Sequence, residues 1–336
     1  MDDFSQSLIC RHTFELQDLM DSYPPKLHNA NKKIVHSIAC PPGSTYSGQL
    51  VFSRWQTIPF PQDLSCLEQQ PEIDERQGYF GYESSDDSTQ VEWYLNFAHY
   101  DLFCAYGGPL FAQDEMQVAE HPALGSLREA LLDKDIKPLT VENGQPTPVL
   151  IRGVERRCSI ATDPNLEAGR PYGLYGNNFA RATPEAIQQA TQLISPPTIT
   201  NILAMEAPAG GRGSYTLRQI EYVLITAFTG FSAARIESEL ELGQQPNVII
   251  HTGFWGCGAY GGDRILMALL QLLAARLSQV NSLVFHVGDS AGSQALASAQ
   301  ELLKQLLDSK ARAARILSLI GKIYEMGFKW GVSDGN

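Results

Sequence analysis

One stretch constrains this chain more than any other. The apolar strand pattern Val248-Ile249-Ile250 runs into His251-Thr252-Gly253-Phe254-Trp255-Gly256-Cys257-Gly258-Ala259-Tyr260-Gly261-Gly262-Asp263. A helix follows directly, from Asp263 to Leu277, and it is apolar on nearly every face. A helix of that kind has to be buried. A strand that is apolar without alternation is covered on both faces. The block therefore predicts a sheet layered by helices, with Asp263 as the helix N-cap. Glycines at 253, 256, 258, 261 and 262 let the loop take left-handed angles and approach a ligand closely. Their N–H groups, added to the free donors of the helix N-terminus, make an anion site suited to a phosphate or pyrophosphate. The plain alternative is a corner that needs glycine for packing alone. The flanking aromatics Phe254, Trp255 and Tyr260 favour a ligand.

The rest of the chain agrees with an α/β class. Strands are expected at Trp93 to Ala98, Pro148 to Val154, Thr198 to Met205, Asn247 to Thr252 and Ser282 to Val287. Helices are expected at Ala123 to Leu132, Thr216 to Thr226, Asp263 to Leu277, Ala291 to Leu307 and Ala311 to Tyr324. Strands alternating with helices of this length imply a mixed or parallel sheet flanked by helices on both faces. The first eighty residues are broken by Pro24-Pro25, Pro41-Pro42-Gly43 and Pro59 to Pro61, with one strand expected at Lys33 to Ala39. A polar loop is expected at Glu83 to Asp87 and a long Gly/Tyr/Asn loop at Gly169 to Asn178. The organisation read from this is an irregular N-terminal extension over 1–90, packed on a core over 91–336.

Charge and cysteine spacing exclude several function classes. With 25 Lys and Arg against 37 Asp and Glu, the net charge of -12 argues against a nucleic-acid or anionic-membrane binder. The longest apolar run, Ile265 to Ala275, is too short to span a bilayer, which takes about 20 residues. Met1-Asp2-Asp3 is acidic where a signal peptide is basic. The six scattered cysteines form no CxxC pair, and His99, His121 and His251 have no ligand spacing, so no metal site is expected. These features together suggest a cytoplasmic protein of a reducing compartment. Gly256 to Gly261 also satisfies G-x-G-x-x-G, but the acid that a dinucleotide fold needs about 20 residues on is absent. The nearest, Asp289, comes late, which disfavours a nicotinamide-dependent oxidoreductase.

A second segment, Tyr106-Gly107-Gly108-Pro109-Leu110-Phe111-Ala112-Gln113-Asp114-Glu115-Met116, presents adjacent carboxylates after a glycine turn. Neighbours on a helix do not share a face, so at most one would face a pocket while the other caps or braces. Capping of a helix N-terminus by acids is the simpler alternative. Taken with Trp255 to Asp263, this segment resembles the poly(ADP-ribose) glycohydrolase branch of the macrodomains. That family carries a glycine loop followed by Gln-Glu-Glu and later Trp-Gly-Cys-Gly-Ala-Phe-Gly-Gly-Asp. Leu283 to Asp289 and Ile202 to Ala207 look like its neighbouring strands, and the likeness covers roughly residues 93–290. The departures are Pro109 for a third glycine, Asp114 for the first Glu, and Tyr260 for Phe. The altered acidic turn is similar to a divergent bacterial subgroup associated with removing single ADP-ribose units from arginine.

The resemblance implies a macrodomain-like mixed sheet and an ADP-ribosyl hydrolase acting on ADP-ribosylated protein, without a cofactor. A non-catalytic ADP-ribose reader is the alternative. Cleavage at an anomeric carbon passes through an oxocarbenium-like state and needs an acid/base and an anionic stabiliser. By resemblance Glu115 is the first choice for that work and Asp114 the second. Glu115 would be tuned by burial beside Phe111 and Met116. Gln113 would brace the turn, and Gly107 and Gly108 would approach the substrate. Gly256, Cys257, Gly258, Ala259, Tyr260 and Gly261 would cradle the diphosphate, with Tyr260 against the distal ribose and Phe285 against the adenine. Asp289 serves the same end of the ligand or ends its strand. Tyr172, Tyr175, Asn177 and Asn178 have the composition of a covering loop. Cys257 as a nucleophile and Arg212 as a phosphate partner are weaker readings.

Overall fold

The computed structural model describes residues 7–83, 87, 89–208, 210–243, 245–308 and 315–333. In chain order it runs β1 (Leu8–Glu15), α1 (Leu16–Ser22), α2 (Ala30–Ala39), β2 (Gln49–Trp55), a 3-10 turn (Ser65–Glu68), β3 (Glu72–Arg76) and β4 (Gln90–Phe97). There follow α3 (Gln113–Glu120), α4 (Ala123–Asp133), the small pair β5 (Val141–Glu142) and β6 (Gln145–Pro146), and β7 (Val149–Ile160). Then come α5 (Asn178–Arg181), α6 (Pro184–Ala190), β8 (Thr191–Met205) and α7 (Leu217–Leu242). The chain continues through β9 (Asn247–Gly253), α8 (Arg264–Ser278), β10 (Ser282–His286), α9 (Ser290–Asp308) and α10 (Ile316–Glu325). Eight strands form one mixed sheet in the order β1-β2-β7-β8-β4-β9-β10-β3. The β1 to β8 side is antiparallel, and the strands from β8 through β4, β9 and β10 to β3 are parallel.

The central strands carry apolar side chains on both faces because both faces are covered. On β4, Trp93 and Leu95 enter the core built with α7, α8 and α9, while Tyr94, together with Ala98 just past the strand's end, enters the core built with α1 and α4. On β8, Leu203 and Met205 face the first core and Ile202 and Ala204 the second. This is the two-residue alternation of a strand placed between two apolar layers. Asp263 caps α8, its Oδ1 accepting the Leu266 amide at 2.9 Å, as the sequence predicts.

The structure differs from the sequence reading in three places. Lys33 to Ala39, expected as a strand, belongs to α2. Asn29 caps it by accepting the Asn31 and Lys32 amides at 3.0 and 3.1 Å. Lys32, Val35 and Ala39 share its buried side at helical spacing, so tertiary contact overrides the β-branched pair Ile34-Val35. The helix expected to end at Thr226 runs on to Leu242 and stops at Gly243, which takes φ +63. Gly230 lies inside this helix. That glycine lets α7 press on β8, since a Cβ there would lie 2.2 Å from Met205 Sδ. The segment 1–90, expected to be irregular, supplies β1, β2 and β3, which are three of the sheet's eight strands. Residues 84–86 of the expected polar loop and 311–314 of the expected last helix lie outside the described residues.

Candidate functional site

The site lies where two parallel strands part. β4 and β9 pair from Gln90↔Asn247 to Tyr94↔His251 and no further. Beyond that point β4 still pairs β8, with the Ala98 amide on Met205 O at 3.1 Å. Its other edge is taken by a side chain: Gln113 accepts the Phe97 amide at 2.7 Å and donates to Leu95 O at 3.0 Å. Gln113 thus stands in for the missing strand and ties the start of α3 to the end of β4. Crevices at the carboxyl ends of diverging parallel strands are the usual ligand sites of α/β sheets.

The acidic turn opens α3 on one wall of this crevice. Glu115 reaches back to accept the Ala112 amide at 3.0 Å, the half of a capping box that an alanine N-cap leaves available. Asp114 is 7% exposed and accepts from Asn96 Nδ2 at 3.1 Å. Burial, reinforced by the charge of Glu115, pushes its carboxyl up to about 8, against the pull of Asn96, Lys32 and Arg128. Both carboxyls line the same cleft, which corrects the expectation that only one would. The cleft sits over the end of the helix rather than along its side, so first-turn residues on different faces both border it. Phe111 and Met116, expected to tune Glu115, pack instead with the Phe179 cluster, where Phe111 and Phe179 stack at 3.8 Å.

The glycine loop forms the opposite wall. Trp255 is buried and donates from Nε1 to Met205 O at 3.0 Å, which fixes the loop to the end of β8. Gly256 turns at φ +77, where a Cβ would lie 2.6 Å from Ala207 Cβ. The amides of Cys257, Gly261 and Gly262 close turns inside the loop. Among the described residues, the amides of Gly256, Gly258, Ala259 and Tyr260 have no acceptor, and all four residues line the cleft. Four unpaired donors on one concave surface are an anion nest. Asp263 and its cap occupy the start of α8, so the nest is made by the loop more than by the helix end. Tyr260 donates to Glu206 Oε1 at 3.4 Å, and the same oxygen accepts the Tyr100 amide at 3.0 Å.

Between these walls is an open cleft with a cavity volume of about 200 Å³. Phe97, Ala98, His99, Cys104, Ala105 and Tyr175 complete much of its lining. Of the proposed covering loop, Tyr175 reaches the cleft, and the Gly176 amide on Phe111 O at 2.8 Å ties that loop to the acidic turn. Tyr172 is exposed. His99 and Cys104 were passed over by the sequence reading. The Asp101 amide donates to His99 Nδ1 at 3.2 Å, and Cys104 Sγ lies 3.4 Å from the same nitrogen. Their place just after β4, facing the glycine loop, was the signal available in sequence. Lys32 was also missed: it is buried behind the acidic turn, with Nζ on Tyr106 O at 2.7 Å.

Several expected ligand residues lie elsewhere. Phe285 has 0% exposure and packs edge-on to Phe254 at 5.1 Å, so it is core and not an adenine platform. The Gly107 carbonyl accepts the His28 and Asn29 amides at 2.9 and 3.0 Å, and a Cβ there would lie 2.3 Å from Lys26 O. Gly108 closes a turn onto Ala105 O, so both glycines serve the turn rather than line the cleft. Gly261 packs against 332–333. The Cys257 thiol sits 3.8 Å from Trp255 O, and burial pushes its pKa up, which disfavours a thiolate. Asp289 accepts the Gly292 amide at 2.8 Å at the start of α9, a helix-capping role. Arg212 is exposed and outside the lining. Among the described residues no group of three or more His, Cys, Asp or Glu could hold a metal, and no helix is long and apolar enough to cross a membrane.

Sheet order, flanking helices and a cleft of this make define an α/β fold of the macro-domain kind. Residues 170–294 match the family model described as poly(ADP-ribose) glycohydrolase, macro domain fold. Over that span, and not over the whole chain, the protein is similar to this family. The matched span contains the glycine loop, and the acidic turn lies outside it. Among solved structures, it is similar to poly(ADP-ribose) glycohydrolase from Thermomonospora curvata bound to the inhibitor ADP-HPD. That match has 17% identity over 81% of this chain and 99% of the other, with a TM-score of 0.47. It is also similar to the Deinococcus radiodurans enzyme in complex with ADP-ribose. There the identity is 13% over 91% of this chain and 99% of the other, with a TM-score of 0.40.

Proposed function

We propose that the protein hydrolyses the glycosidic bond that joins ADP-ribose to a modified protein, and that its acceptor is arginine carrying a single ADP-ribose. The observation that carries the hydrolase reading is the meeting, in one cleft, of four unpaired amides and two carboxyls in different surroundings. The amides of Gly256, Gly258, Ala259 and Tyr260 take the diphosphate, which fixes the proximal ribose relative to α3. Asp114, kept protonated by burial and by its neighbour's charge, donates a proton to the leaving atom. Glu115, oriented by the Ala112 amide, places its carboxylate against the oxocarbenium-like carbon and then takes a proton from the attacking water, whose hydroxyl bonds the anomeric carbon as the protonated acceptor leaves. The arginine linkage is the finer part of the proposal and rests on the Gln113-Asp114-Glu115 sequence.

The test is a panel of arginine-, serine- and glutamate-linked mono-ADP-ribosyl proteins and poly(ADP-ribose), with released ADP-ribose quantified. Release from the arginine substrate alone supports the full proposal, and release from another linkage corrects the acceptor. Binding of ADP-ribose with no release from any substrate would identify a reader and remove the catalytic assignment.

A further inference from the structure

A buried chain of side chains leads from Asp114 away from the cleft. Asn96 has 0% exposure and spends its amide protons on Asp114 Oδ1 at 3.1 Å and Gln117 Oε1 at 2.9 Å. Its own Oδ1 has no partner among the described residues, so its orientation is set by donation alone. Gln117, 1% exposed and three residues along α3 from Asp114, donates from Nε2 to the Tyr82 hydroxyl at 3.1 Å. Tyr82 comes from the segment between β3 and β4 and is held at φ +52, a conformation costly for a bulky side chain. Its ring lies 4.6 Å from that of Tyr94 and 5.1 Å from His121, with the Arg156 guanidinium 4.5 Å over its face. None of Asn96, Gln117 and Tyr82 lines the cleft.

The chain has a direction. While the Tyr82 oxygen accepts from Gln117, Gln117 must turn its carbonyl to Asn96, and Asn96 must then turn its amide protons to Asp114. We propose that Tyr82 and Gln117 are positioning residues which, by locking the orientation of Asn96, set how readily Asp114 releases its proton. This rests on the reading of Asp114 as the protonated member of the pair. The other groups acting on Asp114 are Glu115, Lys32 from α2 and Arg128 from α4, with Cys104 and Tyr260 across the cleft. Those acting on Tyr82 are Glu120 and Arg156. They hold the carboxyl from fixed places, whereas the amide chain is the part that a half-turn of one side chain reverses.

The experiment follows the Asp114 carboxyl directly, by carbon NMR on the full chain labelled at aspartate, with Asp114→Asn identifying the signal. Tyr82→Phe removes the terminal acceptor and frees Gln117 and Asn96 to turn. The carboxylate then loses its fixed donor, and the Asp114 midpoint rises by ~0.5 pH unit, about threefold in the proton equilibrium. Gln117→Met gives a shift of the same sign, and the double variant shifts no further than Gln117→Met alone. In the release assay the alkaline limb of kcat moves the same way while KM holds. An unchanged midpoint in both variants, with only a lower melting temperature, overturns the proposal and leaves the chain a packing feature. Absence of release from every substrate in the wild type overturns the hydrolase reading instead, and the carboxyl titration still decides the relay.

Discussion

Asp114 and Glu115 are adjacent in sequence and chemically unlike in place. A carboxyl raised from 3.8 to about 8 binds more protons folded than unfolded. Its contribution to stability is therefore present at low pH and is lost as pH rises from about 4 to about 8. In Asp114→Asn, urea-unfolding free energies measured across that window are expected to be flatter than in the wild type. A slope as steep as the wild type's would mean that the carboxyl ionises normally. For Glu115→Gln, the amide oxygen keeps the Ala112 cap while the charge is removed. Release of ADP-ribose should fall by about 10²–10⁴, with ADP-ribose affinity changed by no more than a few-fold in calorimetry. Retention of full activity would move the catalytic role off Glu115. The pair was legible in the sequence as two acids after a glycine turn. The proton affinity of Asp114 was not, because Asn96, Lys32 and Arg128, which act on it against burial, lie 18, 82 and 14 positions away.

At the scale of elements, the glycine loop was the most legible part of the chain. Strand, loop, cap and helix come from 32 consecutive residues at 247–278 whose periodicity and glycines are local signals. Its chemistry depends on Gly256 keeping φ +77 with no Cβ against Ala207. Gly256→Ala is expected to weaken ADP-ribose binding about tenfold or more, because backbone strain of this kind costs about 1–3 kcal/mol and displaces the free amides. Isothermal titration with ADP-ribose checks this, and unaltered affinity would separate the loop from the diphosphate. The acidic turn was less legible. Gly107 and Gly108 resemble a ligand-facing glycine loop, yet their carbonyl and amide are consumed by 28–29 and Ala105. Likewise α2 carries a β-branched pair on a helix whose Asn29 cap and buried Lys32 only the fold explains.

For the whole molecule, the sheet joins what the sequence separates. β1 and β2 close one end of the sheet and β3 the other, so residues before 90 frame the strands that carry the cleft. Phe52 on β2 has 0% exposure and shares a core with Tyr94 and Ile202 of the central strands. Phe52→Ala should therefore destabilise the whole chain by about 3–5 kcal/mol in one cooperative transition. Circular dichroism and tryptophan fluorescence followed through the same denaturant titration would check it. Two separate transitions, with the later one unmoved, would show that the first ninety residues fold on their own.

Sequence by itself determined the α/β class, the glycine loop after β9 and the identity of the two acids. Each depends on short-range signals: strand and helix periodicity, glycine's freedom at φ > 0, and two acids adjacent in the chain. Only the tertiary structure decided that the acidic turn and the glycine loop share one cleft, since β4 and β9 must pair and then part for the two to face each other. It alone decided that Phe285 is core while His99, Cys104 and Tyr175 are walls. Burial and proton affinity are properties of neighbours brought from distant parts of the chain, and no local pattern encodes which neighbours those are.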